Sequence, residues 1–135
     1  KAMFGVAQTE KLQAEAYTSA VGERVYATLA DKARRIIAAG HSAIIDAVFA
    51  RDAERASVTE LARAHRFAFR GLFLTADLAV RIARIGDRVH DASDANAEVA
   101  RQQERYTLGA LDWTQIDASG NPSETLARAK AAIDL

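Results

Sequence analysis

Three short apolar segments alternate with longer helix-forming segments along the chain, and this alternation constrains the fold more than any other feature. The apolar segments are rich in β-branched and aromatic residues and lie at residues 42–49, 67–74 and 113–117. Strands separated by helices are joined by crossover connections, which make the strands parallel and pack the helices against the sheet. The sequence therefore predicts an α/β fold, with a parallel sheet of about three strands and helices on both faces.

Segments with helical periodicity surround these strands, at residues 10–39, 51–66, 75–89, 95–107 and 122–133. In the first of them Val25, Leu29 and Ala33 recur at four-residue steps, which places them on one face of a helix. Gly40 follows that helix, where the backbone commonly takes a positive φ. No internal repeat or low-complexity linker divides the chain, so we expect a single α/β domain over residues 1–135.

The charge balance and the residue types exclude several classes of protein. The 18 basic residues balance 18 acidic ones, which argues against a nucleic-acid or membrane partner. The chain has no cysteine, so disulfides, thiol nucleophiles and cysteine–zinc sites are excluded. It has no apolar run of about 18 residues, the length that a transmembrane helix requires. We expect a cytoplasmic domain.

Asp46 is the first candidate site residue, because it lies near the carboxyl end of the apolar segment 42–49. Ligands of parallel sheets bind beyond this end of the strands. A buried carboxylate there needs a partner, and a divalent metal or its bound water can compensate the burial. The alternative is that Asp46 caps a loop or pairs with a neighbouring arginine.

Arginine supplies 14 of the 18 basic residues, and three arginines form the second candidate. Arg84 and Arg88 are four residues apart and share a helix face, with Arg81 adjacent. Converging guanidinium groups can neutralise the charge on a transferred phosphoryl group. The alternative, which the spacing alone favours, is a solvated helix face balanced by Asp77 and Asp87.

The third candidate is the turn after the last strand, formed by Asp117, Ala118, Ser119 and Gly120. Its backbone groups could contact a ligand at the carboxyl edge of the sheet, or it could be only a turn. The three histidines lack metal-ligand spacing, so no zinc site is predicted.

Several segments resemble small P-loop kinases. The string AGHSAIIDAVF at residues 39–49 resembles their AG-x-S-x-hydrophobic-hydrophobic-DA-x-F segment. The stretch from Arg84 through DASDA at residues 91–95 is similar to their lid, and WTQIDA at residues 113–118 is similar to their last strand and turn. The chain is similar to ATP-binding domains that are fused to aminoglycoside-phosphotransferase-like domains and that resemble gluconate kinases and chloramphenicol phosphotransferases.

The resemblance implies a role for each candidate. Asp46 would be the Walker B-type acid that orders Mg²⁺ through water, and Phe49 and Arg51 would face the acceptor substrate. The turn at residues 117–120 would lie near the adenine of ATP. The implied cofactors are ATP and Mg²⁺, and the implied substrate is a small molecule with a hydroxyl group.

The same resemblance makes Arg84 and Arg88, together with Arg81, the lid arginines that stabilise the transferred phosphoryl group. Phosphoryl transfer depends on positioning the reacting groups and neutralising their charge.

The chain departs from the family because G-x-x-x-x-G-K-[ST] occurs nowhere in it, so the phosphate cradle is absent. In these kinases the cradle lies upstream of the segment that residues 1–6 resemble. We therefore expect a partial P-loop kinase fold, the C-terminal part of such a domain. The family strand order, 2-3-1-4-5, would place the segments 42–49 and 67–74 on either side of the absent strand. Since unpaired edges are costly, we expect either direct pairing of these two strands or a partner chain, as in a homodimer that fills the gap.

Two functions follow. The first is part of an ATP-dependent phosphotransferase, with a Walker B-type acid and an arginine lid, inactive without its P-loop portion. The alternative is a non-catalytic α/β interaction module that kept the scaffold and lost the site.

Overall fold

The computed structural model describes residues 19–86 and 96–133. Its elements in chain order are α1 (Ser19–Ala38), α2 (Asp52–Ala64), β1 (Leu72–Thr75), α3 (Leu78–Gly86), α4 (Ala97–Gln103), β2 (Thr114–Asp117) and α5 (Pro122–Ala132). The described residues fall into two compact units, one of residues 19–69 and one of residues 70–86 and 96–133.

The first unit contains α1 and α2, which contact each other. The predicted apolar face of α1 is confirmed, because Val25 and Leu29 are half-buried and Ala33 is buried. The helix ends as expected: Gly40 has a φ of 85°, and its N–H donates to the carbonyl of Ile37 at 2.9 Å. Glycine takes this conformation without a steric cost, which is why it terminates helices.

The buried side of α2 follows the same helical rule. Arg55, Val58 and Ala62 are its buried residues, at positions that share one face of a helix. The helix begins after Arg51, whose backbone N–H donates to the Glu54 carboxylate at 3.0 Å. This bond satisfies one of the backbone donors that a helix start leaves without a partner.

The second unit is built on a parallel pair of strands, β1 and β2, in which Leu72 lies opposite Thr114 and Thr75 opposite Asp117. The pairing continues beyond β2, because the N–H of Ala118 donates to the carbonyl of Thr75 at 2.7 Å. Ile116 provides the buried centre of β2, at 5% exposure. The pair ends with both carboxyl termini at one edge of the sheet.

Three helices accompany this pair: α3 packs against α4, and α5 contacts β2. The two later helices have side-chain caps. Asn96 accepts from the N–H of Val99 at 2.9 Å before α4, and Asn121 accepts from the N–H of Glu124 at 2.9 Å before α5. Asparagine is among the residues preferred at this position, because its side chain replaces a missing helical acceptor.

The strand predicted at residues 42–49 is wrong. Residues 41–50 contain no strand, and the side chains of Ile44 and Val48 are 96% and 58% exposed. An apolar run becomes a buried strand only when neighbouring strands accept its backbone hydrogen bonds and helices cover its faces. In the described part of the chain the sheet contains only β1 and β2.

The other two strands are confirmed in shortened form. The strand predicted at residues 67–74 is restricted to Leu72–Thr75, and the one at residues 113–117 to Thr114–Asp117. The described sheet therefore has two strands where about three were expected, and the direct pairing of segments 42–49 and 67–74 is also wrong. That a partner chain lies beside the sheet stays a prediction.

The predicted helices match the described ones, and each described helix is shorter than its prediction. Of the described helices, none is long and apolar enough to cross a membrane. Residues 87–95, which include the predicted lid sequence DASDA, lie outside the described residues.

Candidate functional site

The turn after β2 is held by its own side chains. The carboxylate of Asp117 accepts a hydrogen bond from the N–H of Ser119 at 2.9 Å, an Asx turn that follows from the sequence Asp-Ala-Ser. The hydroxyl of Ser119 in turn accepts from the N–H of Asp77 at 3.1 Å. Since Asp77 directly precedes α3, the turn is tied to the start of that helix, at the carboxyl edge of both strands.

Arginine side chains bind the backbone of the same turn. Arg84 donates from Nη1 to the carbonyl of Ala118 at 2.7 Å, and from Nη2 to the carbonyls of Ser119 at 3.3 Å and Gly120. Arg128, on α5, donates from Nη1 to the carbonyl of Asp117 at 2.7 Å. The structure therefore brings together two of the predicted site features, Arg84 and the turn at residues 117–120.

The electrostatics of the turn follow from these contacts. The hydrogen bonds that Asp117 accepts from the N–H and the hydroxyl of Ser119, and then the charge of Arg128, lower the pKa of Asp117 from its ordinary value of 3.8. Arg128 Nη1 lies 3.3 Å from the Asp117 carboxylate. Hydrogen bonds to the ionised form favour it, so Asp117 is a carboxylate at neutral pH.

Arg81 lies one turn earlier on α3 and contacts α4. Its guanidinium donates to the side-chain oxygen of Gln103 at 2.6 Å, to the carbonyl of Ala100 at 3.3 Å and to the Glu104 carboxylate. These bonds join α3 to α4. The third predicted lid arginine, Arg88, lies outside the described residues.

Asp46 lies on the irregular segment that replaces the predicted strand, and it is exposed. The expected burial of this carboxylate is therefore wrong, and with it the argument that a metal must compensate the burial. The described residues contain no group of three His, Cys, Asp or Glu side chains that could hold a metal ion.

Phe49 is buried, at 4% exposure, in an environment made by α1 and α2. Its backbone N–H donates to the Tyr26 hydroxyl at 2.9 Å, and the two rings have centroids 5.1 Å apart. Its carbonyl accepts from Arg55 Nη1 at 2.7 Å. Burial raises the pKa of Tyr26 from its ordinary value of 10.0. The structure places Phe49 in the core of the first unit, whereas Arg51 is exposed at the start of α2.

Two arginine contacts with backbone carbonyls, those of Arg55 and Arg128, were not predicted from the sequence. Arg55 is 3% exposed, and its position three residues before buried Val58 was the available signal. Arg128 is seven residues into α5, and nothing in its spacing indicates that it contacts residue 117. A side chain that reaches a backbone carbonyl of another element leaves no periodic pattern.

A family comparison adds to this geometry. A family model for the AAA domain matches residues 1–108, which is well over half of the chain's 135 residues. The chain belongs to this family. This membership indicates a nucleotide-binding scaffold of the P-loop kinase-like type. No curated protein and no solved structure gives a significant match.

The match to the AAA domain family covers part of the candidate site. It includes Asp46, Phe49, Arg51 and the three predicted lid arginines, and it ends before the turn at residues 117–120. The contact of Arg84 with this turn therefore joins the matched part of the chain to the part that follows it.

Proposed function

We propose that the chain is part of an ATP-dependent phosphotransferase that acts on a hydroxyl group of a small molecule. The observation that carries the proposal is membership of the AAA domain family over residues 1–108. Within this family, the strings at residues 39–49 and 91–95 favour the group that resembles gluconate kinases and chloramphenicol phosphotransferases.

The architecture of the second unit supports this proposal. Its parallel strands end at a turn whose backbone is held by α3 and α5, and ligands of parallel sheets bind at this edge. In the proposed enzyme the turn at residues 117–120 lies beside the adenine, and Arg88 is the lid arginine that reaches the phosphoryl group. The acceptor is a sugar, an antibiotic or another small hydroxyl compound.

AAA-type P-loop domains generally bind ATP with Mg²⁺, and the described residues do not fit these groups by themselves. The sequence lacks G-x-x-x-x-G-K-[ST], whose backbone N–H groups and lysine hold the phosphates. Asp46 is exposed and stands on an irregular segment. We therefore assign no catalytic step to the described residues, and their proposed part is to form the scaffold and the base-facing edge.

Calorimetric titration with ATP and Mg²⁺ tests the proposal on two proteins, the 135-residue chain and the product of the natural gene. We expect weak binding by the chain, because its sequence contains no phosphate cradle. We expect tight binding by the gene product, together with phosphate transfer to a hydroxyl compound. Tight binding by the chain alone contradicts the assignment of the cradle to another part of the protein, and no binding by the gene product contradicts the kinase.

A non-catalytic α/β interaction module is the second candidate, and two observations favour it. Arg81 and Arg84 both donate to protein acceptors within the second unit, and Asp46 is exposed. The natural gene sequence upstream of Lys1 discriminates the two candidates. A Walker A motif there supports the kinase, and a gene that encodes none supports the module.

The remaining partner proposal concerns a second copy of the chain. A homodimer would place a strand of one copy beside the sheet of the other and so satisfy an edge that the described residues leave without a strand. Sedimentation or light scattering at several concentrations tests this proposal. We expect a dimer, and a monomer at every concentration would contradict it.

A further inference from the structure

Four consecutive carbonyl oxygens, those of residues 117–120, accept hydrogen bonds from arginine side chains. Arg84 serves the carbonyls of Ala118, Ser119 and Gly120, and Arg128 serves the carbonyl of Asp117. We call these two arginines, with the turn between them, the Arg84–Arg128 clamp. Its two arms come from different helices, α3 and α5.

This arrangement suits guanidinium chemistry. The group is planar, always charged and carries five N–H donors, so one side chain can serve several acceptors at once. Hydrogen bonds with a charged donor are stronger than those between neutral groups. Carbonyls of a surface turn otherwise depend on water, which holds them in no particular position. The clamp replaces that water with donors fixed to two helices.

Both terminal nitrogens of Arg84 are engaged, since Nη1 binds Ala118 and Nη2 binds Ser119 and Gly120. To reach a phosphoryl group through these nitrogens, Arg84 would have to give up three carbonyl acceptors. Arg81 shows the same use of a guanidinium on the same helix, since it binds acceptors of α4. These two arginines of α3 therefore join elements of the second unit.

We propose that Arg84 is a positioning residue that holds the turn at residues 117–120, together with Arg128, and that it does not bind the transferred phosphoryl group. The inference rests on the proposed function for one point, that the turn lies beside the nucleotide. Arg84 then acts on nucleotide affinity through the turn.

The first test needs no nucleotide. Amide hydrogen exchange is measured by NMR on the 135-residue chain and on Arg84→Gln, Arg84→Lys and Arg63→Gln. Arg63 is the matched control, because it is an exposed arginine that pairs with Glu60 on α2. We expect exchange at the amides of Ala118 and Ser119 to accelerate at least about tenfold in Arg84→Gln, since this variant loses the charged donors that serve three consecutive carbonyls. Arg84→Lys keeps the charge and part of the bonding, so its exchange rate should lie between those of Arg84→Gln and the unmodified chain, and Arg63→Gln should leave both amides unchanged.

Unchanged exchange in Arg84→Gln overturns the proposal. Accelerated exchange across all of β1 and β2 would also overturn it, because Arg84 would then support the sheet as a whole and not the turn. Acceleration confined to residues 117–121 supports the proposal.

The second test uses steady-state kinetics of the natural gene product. We expect Arg84→Gln to raise the KM for ATP with little change in kcat, because a loosened turn weakens nucleotide binding. A fall in kcat at constant KM would show that Arg84 acts on the phosphoryl group and overturns the proposal. If the gene product binds no ATP while exchange in the turn still accelerates, the clamp is supported and the proposed kinase function fails.

Discussion

Gly71 lies directly against the indole ring of Trp113. A Cβ atom added to Gly71 would overlap three ring atoms, with Cδ1 of Trp113 at only 2.6 Å. Each residue immediately precedes a strand of the parallel pair, and the N–H of Thr114 donates to the Gly71 carbonyl at 3.0 Å. The close approach of ring and backbone at the entrance of the sheet therefore requires glycine at position 71.

Replacing this glycine should destabilise the protein. Gly71→Ala forces the indole or the backbone to move, and overpacking of this kind costs about 1–3 kcal/mol in the free energy of unfolding. Chemical denaturation followed by Trp113 fluorescence measures the change. Gly22→Ala is the control, because nothing lies within 4 Å of an added Cβ there, and alanine inside a helix should stabilise by about 0.5–1 kcal/mol. Equal effects at the two positions would contradict this account.

The buried guanidinium of Arg55 should contribute to the stability of the first unit. Its Nη1 donates to the carbonyls of Phe49 at 2.7 Å and Ala50 at 3.1 Å, and Arg55→Met would remove both hydrogen bonds. A buried acceptor left without a partner costs about 1–3 kcal/mol. We therefore expect the free energy of unfolding, measured by thermal unfolding, to fall by that amount. Arg63→Met, at a highly exposed position, should change stability by less than about 0.5 kcal/mol. A loss in Arg55→Met as small as that in Arg63→Met would show that water serves the two carbonyls instead.

The cap of α5 offers a third measurement. Asn121 accepts from the N–H of Glu124, whose carboxylate accepts from the N–H of Asn121 at 3.1 Å. Asn121→Ala removes one of these two hydrogen bonds and should lower the free energy of unfolding by about 1 kcal/mol. Ser123→Ala, at an exposed position of the same helical turn, should be close to neutral. An unchanged free energy of unfolding in Asn121→Ala would indicate that water replaces the side-chain cap.

The lowered pKa of Asp117 predicts a pH-dependent stability. A carboxyl group whose pKa is lower in the folded state stabilises the protein above its ordinary pKa, and this contribution is lost as the pH falls through the folded value. The difference in Tm between the unmodified chain and Asp117→Asn should therefore shrink as the pH is lowered from about 5 to about 2. Asparagine keeps an oxygen that can accept from Ser119, so the comparison isolates the charge. An NMR titration midpoint of Asp117 at or above 3.8 would contradict the prediction.

Local sequence patterns were sufficient to predict most of the helices and two of the strands. The face of α1 and its end at Gly40 follow from helical periodicity and from the freedom of glycine. The turn at Asp117 follows from the Asp-Ala-Ser sequence, because its hydrogen bond joins residues only two apart. Such features depend on neighbours in the chain, which the sequence displays directly.

The segment at residues 42–49 shows the limit of the same reasoning. Its β-branched residues favour a strand, yet Ile44 is 96% exposed and the segment forms no strand. Strand formation depends on hydrogen-bonded partners elsewhere in the chain, so propensity alone does not decide it. The predicted burial of Asp46 depended on that strand. Because the strand does not form, Asp46 is exposed and the prediction of its burial is wrong.

The arginines show most clearly what the sequence predicts and what only the tertiary structure decides. Residue type and spacing place Arg81 and Arg84 on one helix and identify them as charged groups able to bind oxygen atoms. Only the tertiary structure shows that the oxygen atoms belong to the protein: Gln103 and Ala100 for Arg81, and the turn at residue 118 for Arg84. The physical reason is reach, since a long side chain finds its acceptor among elements that the fold brings near it, at sequence separations of 19 to 36 residues.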